Sequence, residues 1–362
     1  MLSNLEDFIS TALYSLEKEE KTKIYKQALG ELTKHHYSNC KEYRKILDTL
    51  NFNPNIENNI KSVPSLPVRL FKEYDLYSVD KSDIIKTMTS SGTSGQSVSK
   101  IYLDKSTATI QTKILAKILS NFIGKKRLPM LIIDTKAVLK NRNSFSARGA
   151  GILGFTMFGF DVTYALNEDM SIDYESIKTF LDKHQNQDIL VFGFTSIIWE
   201  HFHKPLLNNE DNQIKINKGI LIHGGGWKKL ENESVDSLTF RNLIEHSCGI
   251  KKIHNYYGMI EQTGSIFMEC EQGHLHCSEY SDIDILNDSL ENIDNNKTGL
   301  VKLYSLLPYS YPGHIILTED RGEILGEDDC KCGRKGKYFK IYGRVQNAEI
   351  RGCSDTYESK AK

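Results

Sequence analysis

The sequence lacks the features that would place the chain in a membrane or on a nucleic acid. Its 362 residues contain no apolar run of about 18 residues, the length that a membrane-spanning helix requires. The formal net charge is only -1, so no excess of positive charge indicates a nucleic acid or an anionic membrane as partner. Residues 1–7 also lack the basic and then apolar layout of a signal peptide. We therefore expect a cytoplasmic protein without nucleic-acid or membrane partners.

Cysteine is scarce for a chain of this length, which argues against a disulfide-stabilised scaffold. The count of seven is odd, and no signal peptide directs the chain to an oxidising compartment. This favours reduced thiols, metal ligands or a reactive cysteine. Internal repeats, low-complexity segments and long linkers are absent as well. We therefore expect one large domain.

The apolar pattern predicts helices first, then an α/β region, and finally a strand-rich end. Apolar residues recur at helical spacing up to about residue 60. Between residues 106 and 257, short apolar runs alternate with helical segments, which is typical of a parallel sheet covered on both faces. Ser106 is expected to cap a helix that ends at Ile123, and Pro205 is expected to end a short helix. Beyond residue 270, Gly, Asp and Asn turns separate short predicted strands.

A polar loop occupies residues 87–100, T-M-T-S-S-G-T-S-G-Q-S-V-S-K. It lies between two predicted strands and contains hydroxyl residues and two glycines, with almost nothing apolar. The backbone N–H and side-chain O–H groups of such a loop can bind an anion, and phosphate is the expected ligand. A flexible surface loop is the alternative. No Gly-Lys-Ser/Thr follows, so the loop is not a Walker-type P-loop.

Further polar segments follow predicted strands, where open α/β sheets bind their ligands. H-G-G-G-W at residues 223–227 lets a flat ligand approach the backbone closely. N-Y-Y-G-M-I-E at residues 255–261 can stack on a base and hold a metal ion. T-E-D at residues 318–320 offers a carboxylate to ribose hydroxyls, and G-R-V-Q-N-A-E-I-R-G at residues 343–352 offers an arginine to hydroxyls or phosphate. Each segment alone is equally compatible with an ordinary turn or a surface ion pair.

The order of these segments resembles the core motifs of the adenylate-forming superfamily, which includes acyl-CoA synthetases, luciferases and peptide-synthetase adenylation domains. The resemblance spans about residue 85 to the C-terminus and implies a large α/β domain with layered sheets and a β-rich C-terminal part. It implies that the chain uses ATP and Mg²⁺, that Glu261 holds the metal ion, and that Thr93 also acts in catalysis. The residues implied to bind the nucleotide are Ser90, Ser91, Gly92, Ser94, Gly95, Gly224, Gly225, Gly226, Tyr256, Tyr257, Gly258, Asp320 and Arg344.

Departures from the superfamily pattern indicate one family within the superfamily. Ser97-Val98 stands where the superfamily has Pro-Lys, which displaces the nearest lysine to Lys100. The sequence ends ten residues after Gly352, whereas superfamily chains continue into a small mobile domain with a catalytic lysine. The leader S-V-P-S-L-P-V-R-L-F-K at residues 62–72, the loop and the early end resemble the LuxE-type acyl-protein synthetases of bacterial fatty-acid reductase complexes.

The LuxE-type resemblance implies a two-step reaction on a fatty acid. The enzyme makes acyl-AMP from the fatty acid and ATP, takes the acyl group onto Cys353, and passes it to a partner protein such as an acyl reductase. Residues 1–84 would then form a leader on the core, residues 85–352 the adenylate-forming core, and residues 353–362 the tail with the acceptor cysteine. The alternatives are a ligase that acylates CoA or a carrier protein, and a non-catalytic nucleotide-binding subunit.

The acyl pocket is expected to be apolar and is assigned to the glycine-containing segment at residues 149–160. Ile152, Leu153 and Phe155 would line it, and Gly154 and Gly159 would leave room for the chain. Plain core packing of these side chains is the alternative.

A second resemblance, to phenylacetate-CoA ligases, concerns two cysteine-containing segments. The first is E-C followed by L-H within residues 269–276, and the second is C-K-C-G-R at residues 330–334. Together they suggest a closed tetrahedral zinc site of structural character, pinning a strand-rich region. His274 or Cys277 could replace His276, and reduced side chains packed without a metal are the alternative. The expected ligands are Cys270, His276, Cys330 and Cys332.

Overall fold

The computed structural model describes residues 5–55, 62–90, 98–139, 147–208 and 214–344. Its helices are α1 Leu5–Ser10, α2 Lys18–Asn39, α3 Lys41–Thr49, α4 Leu70–Glu73, α5 Lys105–Ile123, α6 Ala147–Thr156, α7 Tyr174–His184, α8 Thr195–Ile198, α9 Lys204–Leu207 and α10 Ser237–Cys248. Its strands are β1 Leu66–Pro67, β2 Ile84–Thr89, β3 Lys100–Asp104, β4 Leu128–Thr135, β5 Gly159–Leu166, β6 Ile189–Phe194, β7 Gly219–Gly224, β8 Lys252–Tyr257, β9 Phe267–Glu269, β10 Leu275–His276, β11 Ser281–Leu286, β12 Gly299–Ser305, β13 Ile315–Glu327 and β14 Lys337–Arg344.

The described residues fall into two compact units. Residues 122–257 form the parallel-sheet unit, and the other described residues form the β-rich unit. No helix in the described part of the chain has both the length and the apolar character needed to cross a membrane.

The parallel-sheet unit contains β5, β4, β6, β7 and β8 in this spatial order, and every neighbouring pair is parallel. Every residue of β6 and of β7 is buried, as expected for strands that are covered on both faces. Strands β6 and β8 and helix α10 lie within the stretch where apolar runs and helical segments are predicted to alternate, and α10 ends before Gly249, whose φ of 78° is left-handed. The predicted parallel sheet is therefore confirmed.

Two predicted helix boundaries are wrong. The N-terminus of α5 is capped by Asp104, whose side chain accepts a hydrogen bond from the Thr107 N–H at 2.8 Å, and Ser106 lies inside the helix. Pro205 does not end its helical segment, because a π-helical turn at Trp199–His203 leads directly into α9. There Pro205 occupies the first turn of α9, directly after the π turn.

The β-rich unit combines the N-terminal helices with strands from the second half of the sequence. Its antiparallel sheet has the order β11, β12, β13, β14, β10 and β9, and β1 pairs with β13 in parallel. Helix α2 belongs to this unit and buries Tyr25 and Leu29. The buried Lys21 on α2 donates from Nζ to the Ser281 carbonyl at 2.9 Å, which anchors the helix to β11. The N-terminal helices thus pack with strands that follow more than 200 residues later.

Candidate active site and metal centre

In the parallel-sheet unit, the predicted glycine segment lies against aromatic rings. Strands β7 and β8 are in register so that Gly224 pairs with Tyr256. A Cβ atom on Gly224 would come within 2.7 Å of the Tyr256 ring, and one on Gly225 within 2.8 Å of the Phe194 ring. Gly225 and Gly226 also have positive φ values of 84° and 68°. The backbone therefore passes so close to these rings that only glycine fits without displacement.

Replacement of Gly224 by alanine is expected to destabilise the protein by about 1–3 kcal/mol, because the new methyl group must displace the Tyr256 ring. Gly154→Ala is the matched control, since nothing lies within 4 Å of its Cβ position in helix α6. This control should be neutral or stabilising by up to about 1 kcal/mol. Denaturant unfolding of the two variants measures the difference. Equal stabilities would show that the close approach at Gly224 is not sterically limiting.

A threonine that the sequence did not single out positions this glycine segment. Thr195 Oγ1 donates to the Gly224 carbonyl at 3.1 Å and lies 2.9 Å from Nδ1 of His223. Burial lowers the pKa of His223 to about 3, so the ring is neutral and its Nδ1–H can donate to Thr195. Only the fold brings Thr195, at the start of α8, next to the end of β7.

The segment assigned to the acyl pocket mostly packs in the core of the parallel-sheet unit. Ile152 is fully buried, and the Phe155 ring stacks on Phe192 with centroids 4.1 Å apart. Phe155 also lies 5.2 Å from the Tyr256 ring, so this core layer reaches the glycine segment. Leu153 is 43% exposed. Ile152 and Phe155 therefore fit the alternative, in which these side chains pack in the core.

In the β-rich unit, the loop stem meets a buried carboxylate. The stem is closed by two 2.9 Å hydrogen bonds, from Ser90 N–H to the Ser99 carbonyl and from Ser99 N–H to Ser90 Oγ. Burial raises the pKa of Glu261, while a hydrogen bond with the Ser99 side chain and the charges of Lys72 and Arg344 act in the opposite direction. A buried carboxylate beside a polar loop has the oxygen donors that Mg²⁺ prefers, so Glu261 fits this ion. Ser99 was not predicted from the sequence.

The predicted ribose-binding residues face each other across β13 and β14. Asp320 and Arg344 are register partners, with Oδ1 and Nε 3.8 Å apart. Thr318 Oγ1 accepts the Asp320 N–H at 3.1 Å and donates to the Val301 carbonyl at 2.9 Å, which holds this stretch of β13 in place. The Arg344 side chain is 40% exposed, and that of Asp320 is 16% exposed.

The remaining predicted nucleotide residues divide into two groups. Tyr257 ends β8, and a Cβ atom on Gly258 would lie 3.1 Å from the Ile266 side chain. The other group lies outside the described residues and comprises Ser91, Gly92, Thr93, Ser94, Gly95 and the acceptor candidate Cys353.

The predicted zinc ligands come together in the β-rich unit. Their four ligand atoms all lie within 4.8 Å of one another. Cys270 Sγ is 4.0 Å from Cys330 Sγ, and Cys332 Sγ is 3.4 Å from His276 Nε2. A tetrahedron with Zn–S bonds of about 2.3 Å and Zn–N bonds of about 2.0 Å separates its ligands by about 3.5–3.8 Å. The donor set and its spacing therefore fit a zinc ion.

Three separate elements present these ligands. Cys270 follows β9, His276 lies in β10, and the two remaining cysteines lie in the turn between β13 and β14. Gly333, with φ of 82°, donates to the Cys330 carbonyl at 2.9 Å and closes that turn tightly. Burial lowers the pKa of His276 to about 3, so the ring is neutral, as a metal ligand must be.

The two alternative ligands have different surroundings. His274 Nδ1 lies 3.5 Å from Cys330 Sγ, and its ring stacks on Tyr338 with centroids 5.0 Å apart. His274 is therefore close enough to Cys330 to be a metal ligand in place of His276. The Cys277 thiol is fully buried, its pKa is raised by this burial, and it lies outside the group of four.

The chain is similar to known proteins in sequence and in fold. The family model described as "Acyl-protein synthetase, LuxE" matches residues 2–361. A long-chain-fatty-acid–luciferin-component ligase of Aliivibrio fischeri is 24% identical over 353 residues, covering 93% of this chain and 88% of that protein. The ligase of the same name from Vibrio harveyi is 22% identical over 334 residues, covering 88% of this chain and 83% of that protein.

Solved structures show the fold. An open conformation of 2-hydroxyisobutyryl-CoA ligase with 2-HIB-AMP and CoA has a TM-score of 0.70 and 15% identity, covering 92% of this chain and 77% of that one. The thioesterification state of this ligase has a TM-score of 0.69 and 15% identity, covering 92% of this chain and 70% of that one. The predicted large α/β domain of adenylate-forming enzymes, with its β-rich C-terminal part, is thereby confirmed. Because the family model spans nearly the whole sequence, the chain belongs to the LuxE family of AMP-forming acyl-protein synthetases.

Proposed function

We propose that this protein activates a long-chain fatty acid with ATP and transfers the acyl group first to Cys353 and then to a partner protein. The observation that carries the first step is the grouping in the β-rich unit. There the closed loop stem contacts Glu261, and the Arg344 charge that acts on Glu261 belongs to the Asp320–Arg344 pair. Family membership and the names of the two luciferin-component ligases support the fatty acid as substrate and a protein as acceptor.

In the adenylation step, a carboxylate oxygen of the fatty acid attacks the α-phosphorus of ATP. The bond from that phosphorus to the oxygen bridging to the β-phosphate breaks, and pyrophosphate leaves with the bonding electron pair. Asp320 accepts hydrogen bonds from the ribose hydroxyls, and Arg344 donates beside it. Glu261 would hold Mg²⁺, which supplies positive charge to the phosphates when bound. The glycine segment at residues 224–226, whose backbone lies against the Tyr256 ring, would bind adenine.

In the transfer step, the Cys353 thiolate attacks the acyl carbonyl carbon. The bond from this carbon to the phosphate oxygen breaks, AMP leaves, and a thioester forms that keeps the acyl group activated. We assign this step to a tail at residues 353–362, after a leader at residues 1–84 and a core at residues 85–352. A partner thiol, such as that of an acyl reductase, then takes the acyl group by thioester exchange. The reaction would take place in the cytoplasm, where thiols stay reduced.

We further propose that the Cys270, His276, Cys330 and Cys332 group holds a structural zinc ion. Its closed set of four protein ligands leaves no position for a substrate. The ion would tie β9, β10 and the β13–β14 turn together, and β14 ends at Arg344.

The test of the proposed function separates the two steps. The purified protein is incubated with ATP, Mg²⁺ and labelled hexadecanoic acid, with and without CoA, and the products are measured. We expect fatty-acid-dependent exchange of labelled pyrophosphate into ATP, and a hydroxylamine-labile acyl adduct on the protein by mass spectrometry. Absence of both would contradict the proposal and favour a nucleotide-binding subunit. Rapid acyl-CoA formation without any protein adduct would favour a CoA ligase.

A further inference from the structure

The amino-terminal edge of the parallel sheet is rich in exposed basic side chains. Because β5, β4, β6, β7 and β8 are parallel neighbours, the loops that precede them meet at this edge. Strands about 4.8 Å apart make the edge about 20 Å long. The formal net charge of -1 for the whole chain conceals this local excess. The exposed basic residues in these loops and at the first position of β8 are Lys125, Lys126, Arg127, Lys215, Lys218, Lys251 and Lys252.

Few of these positive charges are offset by carboxylates. Lys251 lies 3.8 Å from the Glu245 carboxylate on α10. Asp188, before β6, is the one acidic residue in the described parts of the loops themselves. Lys218 donates from Nζ to the Asn186 carbonyl at 3.2 Å, and this neutral acceptor leaves its charge in place. The described residues of this edge therefore present a positive surface that suits an anionic partner.

Exposed apolar side chains lie beside one end of this basic edge. Four of the eleven large apolar side chains that are exposed in the described residues belong to α6, to β5 or to the turn between them, namely Leu153, Met157, Phe160 and Val162. β5 is the outermost strand of the parallel sheet, and Arg127 donates to the Gly159 carbonyl at its start. Asp161 on β5 pairs with Lys183 at 2.8 Å. Basic and apolar side chains thus occur together at this corner.

Helix α6 leads from this corner toward the glycine segment. A Cβ atom on Gly151, in the first half of α6, would lie 3.0 Å from the Phe194 ring, and one on Gly225 would lie 2.8 Å from the same ring. The other end of α6 continues through Met157 into β5. With a rise of about 1.5 Å per residue, the helix is about 15 Å long. A fatty acid that lies along α6 would therefore extend from the basic edge toward the glycine segment.

We propose that this edge docks on the surface of an anionic lipid membrane, from which the protein takes its long-chain fatty acid. The identity of the substrate rests on the proposed function, whereas the docking does not. Anionic lipids attract Lys and Arg, and exposed apolar side chains enter the interface between headgroups and acyl chains. A nucleic acid would neutralise the charges but leave the apolar side chains in water. Fatty acids themselves concentrate in lipid, because each buried CH₂ group favours transfer out of water.

Vesicle flotation without nucleotide tests the docking. The protein should bind vesicles of phosphatidylcholine that contain about 30% phosphatidylglycerol, and should bind pure phosphatidylcholine vesicles at least about 10-fold more weakly. The double variant Lys125→Gln, Lys126→Gln should bind the anionic vesicles about 10- to 30-fold more weakly, because two charges are lost. Met157→Gln should weaken binding about threefold or more, because this side chain no longer favours the interface.

The matched control is the double variant Lys41→Gln, Lys45→Gln, because these two lysines are exposed on α3 in the β-rich unit. It should bind the anionic vesicles like wild type. Equal binding to both kinds of vesicle, or an equal loss in the control variant, would overturn the proposal. Unchanged binding in Met157→Gln, or binding of duplex DNA without binding of vesicles, would overturn the lipid assignment in favour of another polyanion.

Pyrophosphate exchange distinguishes failure of this proposal from failure of the proposed function. The Lys125→Gln, Lys126→Gln variant should exchange like wild type when the fatty acid is supplied on serum albumin. It should exchange about 10-fold more slowly when the fatty acid is supplied in anionic vesicles. A wild-type protein that exchanges pyrophosphate but does not bind the vesicles would overturn the docking alone. One that binds the vesicles and catalyses no exchange would support the docking and contradict the proposed function.

Discussion

Replacement of Cys353 by serine is expected to abolish the hydroxylamine-labile acyl adduct while fatty-acid-dependent ATP–pyrophosphate exchange stays within about twofold of wild type. Adenylation consumes the carboxylate and ATP and does not involve the thiol. Acyl transfer does require the thiol, because a thiolate is a far better nucleophile than a neutral serine hydroxyl without an adjacent base. Intact-protein mass spectrometry with peptide mapping locates the adduct, and pyrophosphate exchange measures the first step in the same preparation.

Cys40→Ala serves as the control for this variant. Cys40 is buried beside α3, and burial raises the pKa of its thiol, so it is a poor nucleophile. This variant should keep the adduct in full. The Cys353 assignment would be wrong if the adduct persisted in Cys353→Ser or mapped to another cysteine. Loss of pyrophosphate exchange in Cys353→Ser would show instead that the substitution disturbs adenylation.

Replacement of Cys332 by serine is expected to remove zinc and to destabilise the protein by more than about 3 kcal/mol. A structural zinc ion contributes its binding free energy to folding, and the four ligands come from three elements that are separate in sequence. Without the ion, buried thiolate and imidazole groups lose their partner. Metal analysis of protein purified without chelator should find about one zinc per wild-type chain, and thermal unfolding measures the stability.

Two control variants make the zinc prediction specific. Cys277→Ala removes another buried thiol from the same unit and should retain the metal. His276→Gln should lose zinc and His274→Gln should retain it, which decides between the two histidines. Fewer than about half an equivalent of zinc in wild type would contradict the site. The reverse result for the histidines would move the ligand role to His274.

The cluster of three cysteines and one histidine and the glycine segment show how much local sequence patterns can predict. C-K-C-G-R is a short motif whose ligand chemistry can be read directly, and the structure does bring Cys330 and Cys332 to Cys270 and His276. The glycines at residues 224–226 follow a buried strand, as predicted, because a run of apolar residues bounded by glycine is a local signal. The order of such motifs predicts the superfamily and its fold class, and the leader at residues 62–72, the loop and the early end predict the family.

Local signals misled where several residues compete for one role. Asp104 and Ser106 are both good helix caps, and the sequence does not say which of them lies at the first turn of α5. Proline normally ends a helix, but Pro205 follows a π turn and lies in the first turn of α9, so the helical segment continues to Leu207. A shift of one or two residues changes which residue caps a helix or ends it, and tertiary packing decides that position.

The composition, the strand and helix periodicities and the ordered motifs determine the class of this protein, because each depends on residues that are neighbours in the chain. The contacts around Glu261 could not be read in this way. Ser99, Lys72 and Arg344 come from segments that are distant in sequence, and only folding brings their charges and hydroxyls to one carboxylate. Long-range contacts of this kind are set by packing of whole elements, such as β1 on β13, and no local pattern encodes them.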